Sequence, residues 1–204
     1  MTKLRLKIAV LALAAVFSLG AVAYGATFTS AKTNSATAEL LSTPNASLFD
    51  LALGFRENAT DTIDETNAAF AHSTCDGCRT VAIAFQVVIV QSASPSQITP
   101  TNVAVALNEN CTGCSSLALA HQFVVGRGGP ARITSDGRKR LFAVGDDLLA
   151  IERNYQALTD AEIQSRVDAD AAKVRSILST ELVPLHSGGP KPGFEDDRSI
   201  DRGV

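Results

Sequence analysis

The sequence predicts an α+β fold, with a duplicated β-hairpin forming an antiparallel sheet of four main strands beneath C-terminal amphipathic helices. Three observations carry this expectation. A Cys-x-Gly-Cys motif occurs twice, each time followed by the same run of small and bulky residues. Those runs alternate with a period of two, as a strand does. The C-terminal third instead repeats its apolar residues at three- and four-residue steps, as a helix does.

The first element is a leader at residues 1–26. Lys3, Arg5 and Lys7 precede an unbroken apolar run, Ile8 to Phe17, and small residues follow at Ala21, Ala23 and Gly25. This is the layout of a secretory signal peptide, cleavable after Ala23, Gly25 or Ala26. The alternative is an uncleaved anchor, since the 19 residues from Ile8 to Ala26 are just long enough to cross a bilayer. The leader also skews the composition. The chain of 204 residues is 46% hydrophobic with a net charge of −3; without the three leader cations, 15 basic residues face 21 acidic ones, a net of −6. That balance excludes a basic nucleic-acid binder, and the shortage of apolar runs excludes a multi-pass membrane protein.

Residues 27–52 are rich in Ala, Thr and Ser and read as a linker, and residues 53–183 as the folded domain. Within that domain Cys75-Asp-Gly-Cys78 recurs as Cys111-Thr-Gly-Cys114 at an offset of 36 residues, with two alanines, a glutamine and a valine in step. Thr66-Asn67-Ala68-Ala69 resembles Thr101-Asn102-Val103-Ala104 upstream. After each motif one parity is bulky: Val81, Ile83, Phe85, Val87 and Ile89, then Leu117, Leu119, His121, Phe123 and Val125. The other is small: Ala82, Ala84 and Gln86, then Ala118, Ala120 and Gln122. Shorter strands are expected near Asn67–His72 and Asn102–Asn108, with Gly77 and Gly113 supplying a positive φ at two hairpin tips. The bulky face should meet the core, and something must pack close to the small face or leave it wet. A helical reading of the alanine-rich segments is the alternative.

Two helices supply the cover. One starts near Ser135 and aligns Leu141, Val144, Leu148 and Ile151; the next follows the capping box Thr159-Asp-Ala-Glu162 and aligns Ile163, Val167, Ala171, Val174, Leu178 and Leu182. Residues 184–204 have little to bury and read as a disordered tail.

Cys75, Cys78, Cys111 and Cys114 allow three chemistries. In an oxidising compartment they form disulfides. Four thiolates could instead hold one zinc ion, as in zinc ribbons. A redox-active CxxC needs a thiolate at a helix N-terminus, whereas these motifs lead into strands. Bridges within each motif close loops worth about 2 kcal/mol in the chain-entropy model, and bridges between motifs nearly 4. Duplication favours Cys75–Cys78 and Cys111–Cys114, because an ancestral single unit could pair only within itself.

Other polar residues read as structural. His72 precedes Cys75 by three residues, His121 stands where the first copy has Phe85, and His186 falls in the tail; Gln86 and Gln122 are equivalent, and Glu195, Asp196 and Asp197 form an acidic cluster. Asn45-Ala-Ser and Asn58-Ala-Thr fit the glycosylation pattern of a eukaryotic host. No motif of a zinc protease, serine hydrolase, haem protein or nucleotide binder occurs. No catalytic residue, resident metal or cofactor is therefore expected.

The run from Ala71 through Cys75-Asp-Gly-Cys78-Arg-Thr-Val-Ala-Ile-Ala-Phe-Gln-Val-Val, with Asn108-Glu-Asn-Cys111 and Gly128-Gly-Pro130, resembles an uncharacterised exported actinobacterial domain. Similar sequence lies in the extracytoplasmic C-terminal part of putative peptide zinc metalloproteases. The resemblance spans about Glu57 to Leu149 and implies export, but transfers no catalytic residue. The expected protein is thus a non-enzymatic, disulfide-stabilised envelope domain that binds a protein or peptide, extracellular or held at the cell surface by its leader. A structural zinc module and a thiol-disulfide oxidoreductase are the alternatives.

Overall fold

In a computed structural model, residues 28–93, 95–127 and 129–203 are described. The expected leader lies outside them. Among the described residues, no helix is long and apolar enough to cross a membrane.

The chain is α+β, and its organising unit is strand–turn–strand. That unit occurs three times: β1 (Thr33–Leu40) and β2 (Ser47–Asn58), β4 (Thr66–Ser73) and β5 (Arg79–Val90), then β7 (Thr101–Asn108) and β8 (Ser115–Arg127). Two-residue strands, β3 (Thr62–Ile63) and β6 (Gln97–Ile98), mark the returns between units and pair with each other in parallel. The two strands of a unit do not pair together. First strands pair only with first strands, in the parallel order β1-β4-β7, and second strands with second strands, as β2-β5-β8. The chain therefore coils as three stacked rungs, like a short solenoid.

This replaces the expected pair of hairpins in a four-stranded antiparallel sheet. The reason lies in the small face. Ala36, Ala38, Ala69, Ala71 and Ala106 from the first strands meet Ala82, Ala84, Ala118 and Ala120 from the second strands in one buried layer. A hairpin would place both alanine faces on the same side of one sheet and leave them without a partner. Stacking copy on copy lets the two sheets close over each other. Cα atoms of β1 and β5, and of β4 and β8, come within 8 Å, nearer than the ~10 Å usual between packed sheets. The alanine-rich segments are strands, not helices.

The bulky face is covered as expected. α1 (Ser135–Asn154) starts at an N-cap where Thr134 accepts from Gly137 N, and α2 (Asp160–Glu181) starts at the Thr159–Glu162 capping box. Leu141, Val144, Leu148 and Ile151 of α1, with Ile163, Val167, Val174 and Leu178 of α2, bury against Val81, Ile83, Phe85, Leu119 and Phe123. β9 (Ala131–Ile133) and β10 (Leu182–Pro184) tie the ends of the helical pair together.

Two segments differ from the sequence reading. The stretch expected to be a linker holds β1 and the first half of β2, and so begins the first rung. Its Thr33-Asn34-Ser35-Ala36 aligns with Thr66-Asn67-Ala68-Ala69 and Thr101-Asn102-Val103-Ala104 in the sheet register. The expected tail holds β11 (Gly193–Arg202), antiparallel to β8. β11 is charged because it closes an edge. Ser199 Oγ accepts from Ala104 N at 3.0 Å, and Asp201 Oδ2 accepts from Ala106 N at 2.9 Å. These side chains occupy the outward N–H groups of β7, which would otherwise template another strand.

Candidate functional site

The cysteines lie at one end of the stack, where the turns superpose. Each left-handed turn position recurs down the rungs: Asn45 (φ 58°), Gly77 (φ 66°) and Gly113 (φ 66°). Asparagine is the residue that best replaces glycine in this conformation. Asn45 N donates to Asp76 O and Gly77 N to Thr112 O, both at 2.9 Å. Counting back from the register Ser47–Arg79–Ser115, Thr43 and Ala46 occupy the places of Cys75 and Cys78.

Cys75 is bonded to Cys78 and Cys111 to Cys114, with Cα separations of 5.5 and 6.1 Å. The sulfurs therefore present no thiolate to a metal or substrate. A four-thiolate zinc centre would require both bridges to open. Among the described residues, no group of three or more His, Cys, Asp and Glu side chains is arranged to hold a metal ion. The two bridges differ in surroundings. Cys75 and Cys78 are buried, with the carbonyl of Thr43 lying 3.1 Å from Cys78 Sγ. Cys111 and Cys114 are half-exposed, and beyond its two chain neighbours nothing described lies within 4 Å of the Cβ position at Gly113.

The other candidate residues are distributed through the fold. His72 projects from β4 between two carboxylates, with Nδ1 3.1 Å from Glu39 and Nε2 3.0 Å from Glu109. It bridges neighbouring chain segments and makes no contact with a cysteine among its hydrogen bonds. Gln122 Nε2 donates to Gln86 Oε1 at 2.8 Å inside the stack, and also to Glu65 O. His186 is exposed. His121, which stands where the preceding rung has Phe85, is fully buried on the helix-facing side of β8. Of the acidic cluster, Asp196 pairs with Arg175 of α2. Glu195 and Asp197 line a cavity of about 340 Å³ with Pro100, Gln122 and Val124. Asn45 is exposed in its turn, whereas Asn58 is buried and donates to Glu65 Oε1 at 2.8 Å.

Sequence reading missed the buried polar ladder. Asn34, Asn67 and Asn102 sit in register: Asn34 Nδ2 donates to Asn67 Oδ1, and Asn67 Nδ2 to Asn102 Oδ1, both at 2.8 Å. They also span the two sheets: Asn67 Nδ2 donates to the carbonyls of Ala84 and His121, both at 3.1 Å. The Thr-Asn-x-Ala recurrence was the available signal. Near the turns Ser73, Thr80 and Ser116 form a second ladder, with Thr80 and Ser116 hydroxyls 2.8 Å apart.

Among the described residues, the outer face of the β1-β4-β7 sheet is left open. β1 contributes polar Thr33, Ser35, Thr37 and Glu39, whereas β4 and β7 contribute Phe70, Val103, Val105 and Leu107. Val103 and Leu107 are 39% and 40% exposed. Parallel sheets are ordinarily covered on both faces. No protein-family model, curated protein or solved structure matches the chain.

Proposed function

We propose that the protein is an exported, non-enzymatic envelope domain whose cysteine-clipped β stack presents a surface to a protein or peptide. The observation that carries this reading is the pairing of all four cysteines within their own motifs, in a fold with a sheet face left open among the described residues. Such pairing supports an oxidising compartment. The basic, apolar leader and the resemblance to extracytoplasmic domains of putative peptide zinc metalloproteases support the same placement. No catalytic residue comes with that resemblance. The buried polar groups are largely occupied by hydrogen bonds between rungs, which supports a scaffold role over a reactive one. The partner is read as an envelope protein or peptide, with the membrane involved only through the leader.

Two measurements on the full-length chain test the reading. Fractionation of the source cells should recover it outside the cytoplasm. Intact mass after alkylation without reductant should show no added label, and peptide mapping should give the two short bridges. Cytoplasmic recovery with four alkylated thiols would overturn the proposal. Stoichiometric zinc with reduced cysteines would replace it by the zinc-module reading.

A further inference from the structure

Leu53, Phe85 and His121 form one row across the three rungs, on the side of the sheet that faces the helices. Two members of the row are apolar, and the third is a histidine with 0% exposure. Its ring stacks on Phe85 at a centroid distance of 5.7 Å, and neither ring nitrogen makes a hydrogen bond. An unpaired polar group in such a place is costly.

The charges around it come from two elements. α2 supplies Asp168 and Arg175; β11 supplies Arg198 and Asp196. β5 faces it with Phe85 and adds no charge. Asp168 Oδ1 lies 3.5 Å from His121 Nε2, while Asp168 Oδ2 accepts from Arg198 Nη2 at 2.6 Å. Arg175 donates to Asp196. Two ion pairs thus clasp α2 to β11, with Arg198 opposite His121 and Asp196 opposite Phe123 in the β11–β8 register. One carboxylate, Asp168, is shared between the clasp and the imidazole.

We propose that His121 is an acid-responsive latch: its buried site under the α2–β11 clasp does not accommodate a protonated ring, so acid releases α2 and β11 from the sheet. The proton comes from solvent and settles on the ring as α2 and β11 part from it and water reaches its nitrogens; Asp168, 3.5 Å from Nε2 in the clasped state, opposes that release. Burial pushes His121 down to about 4 from an ordinary 6.5, and the pull of Asp168 offsets this only in part. The released or unfolded chain therefore binds more protons than the latched one between these values. Latching is at full strength above the ordinary histidine range. It weakens as pH falls through that window toward 4.

Amide hydrogen exchange on the intact, disulfide-bonded protein tests this, with protection corrected for intrinsic rates at each pH. Between about pH 7 and pH 4.5, α2 and β11 should lose at least about tenfold in protection while β4 and β5 keep theirs. H121F, which restores the residue of the preceding rung, and H121Q, which keeps a polar group that does not titrate, should both abolish the acid-dependent loss. In wild type the His121 ring resonances, assigned by their absence in either variant, should titrate below the ordinary histidine range. The proposal falls if either variant keeps the wild-type acid profile. It also falls if β5 loses protection together with α2, or if the ring titrates normally.

Discussion

The central rung and the terminal rungs share one sequence pattern but occupy different environments. β5 is buried along nearly its whole length, with only Arg79 half-exposed. β2 alternates between buried, half-buried and exposed positions. In the first strands, Asn34 and Asn67 are buried while Asn102 is half-exposed. A residue at one repeat position therefore does different work depending on what flanks its rung. In stacked repeats each unit is stabilised by its neighbours: β5 lies between β2 and β8, and β8 between β5 and β11, whereas β2 has a neighbour on one side only. The ends compensate locally. Asp50 Oδ2 accepts from Thr37 N at 2.6 Å at the first rung, as Ser199 and Asp201 do for β7 at the last.

The largest test of this contrast is truncation along the Leu53–Phe85–His121 row. Phe85→Ala should cost about 3–5 kcal/mol, since the ring is 1% exposed and packs on both His121 and Phe123. Leu53→Ala, in the first rung, should fall near the lower end of its class, about 2 kcal/mol, because β2 can relax toward its open side. Urea unfolding of both variants decides the matter. Equal losses would show that the rungs are equivalent and that the end effect is absent.

The asparagine ladder offers the same comparison for polar groups. Asn67 joins both neighbouring asparagines and two carbonyls of the facing sheet. Asn67→Ala should cost about 1–3 kcal/mol, because Asn102 Oδ1 is left without its donor and Asn34 Nδ2 loses an acceptor. Asn102→Ala should cost less, since that site is half-exposed and water can replace the missing group. Thermal unfolding would rank them, and the reverse order would place the polar anchor at the end of the stack.

The helices and the two faces of β5 were legible in sequence because their signals are local. The capping box at Thr159, the four-residue spacing from Ile163, and the bulky–small alternation after Cys78 each reflect a contact that the element must make. Which strand pairs with which is not local. Gly77 and Gly113 specify a turn with positive φ, but that turn serves a hairpin and a crossover to a facing sheet equally well. The decisive clue was that the strands before and after each turn both carry alanines, which only two opposed sheets can bury together. The first rung was hidden because Thr43, Asn45 and Ala46 replace a cysteine, glycine and cysteine. The motif used to find the repeat was the very part that the first copy lacks. β11 was hidden because its charges answer backbone groups of β7 and side chains of α2, neither adjacent in sequence.

The bridges extend the comparison from stability to reactivity. Each closes a short loop worth about 2 kcal/mol in the chain-entropy model, so replacing either pair by serine should cost a similar amount. Their reduction rates should differ. The Cys75–Cys78 sulfurs are buried beneath the first turn, whereas Cys111–Cys114 is half-exposed at the end of the stack. Attack on a disulfide requires access to one sulfur. Under a limiting dithiol, alkylation and peptide mapping should find Cys111 and Cys114 labelled first. Simultaneous labelling would mean that reduction waits on opening of the whole stack.

The smallest expected effect is also the most direct check on the third copy. If Thr43 and Ala46 stand where the later rungs have cysteines, then Thr43→Cys with Ala46→Cys should form a third bridge without rearrangement of the turn. Asn45 already holds the left-handed conformation that Gly77 and Gly113 adopt at the same position. The backbone bonds from Asn45 N to Asp76 O and from Arg79 N to Ala46 O already fix the turn against its neighbour. The gain is at most about 2 kcal/mol, and engineered bridges commonly deliver less. Mass spectrometry of the oxidised double variant should show the two introduced sulfurs bonded to each other, beside two unchanged native bridges. Scrambling of the new thiols with Cys75 or Cys78 would instead mean that the first turn does not stack in register. Stacking would then begin at the second rung, with residues 33–58 laid along it only through β1 and β2.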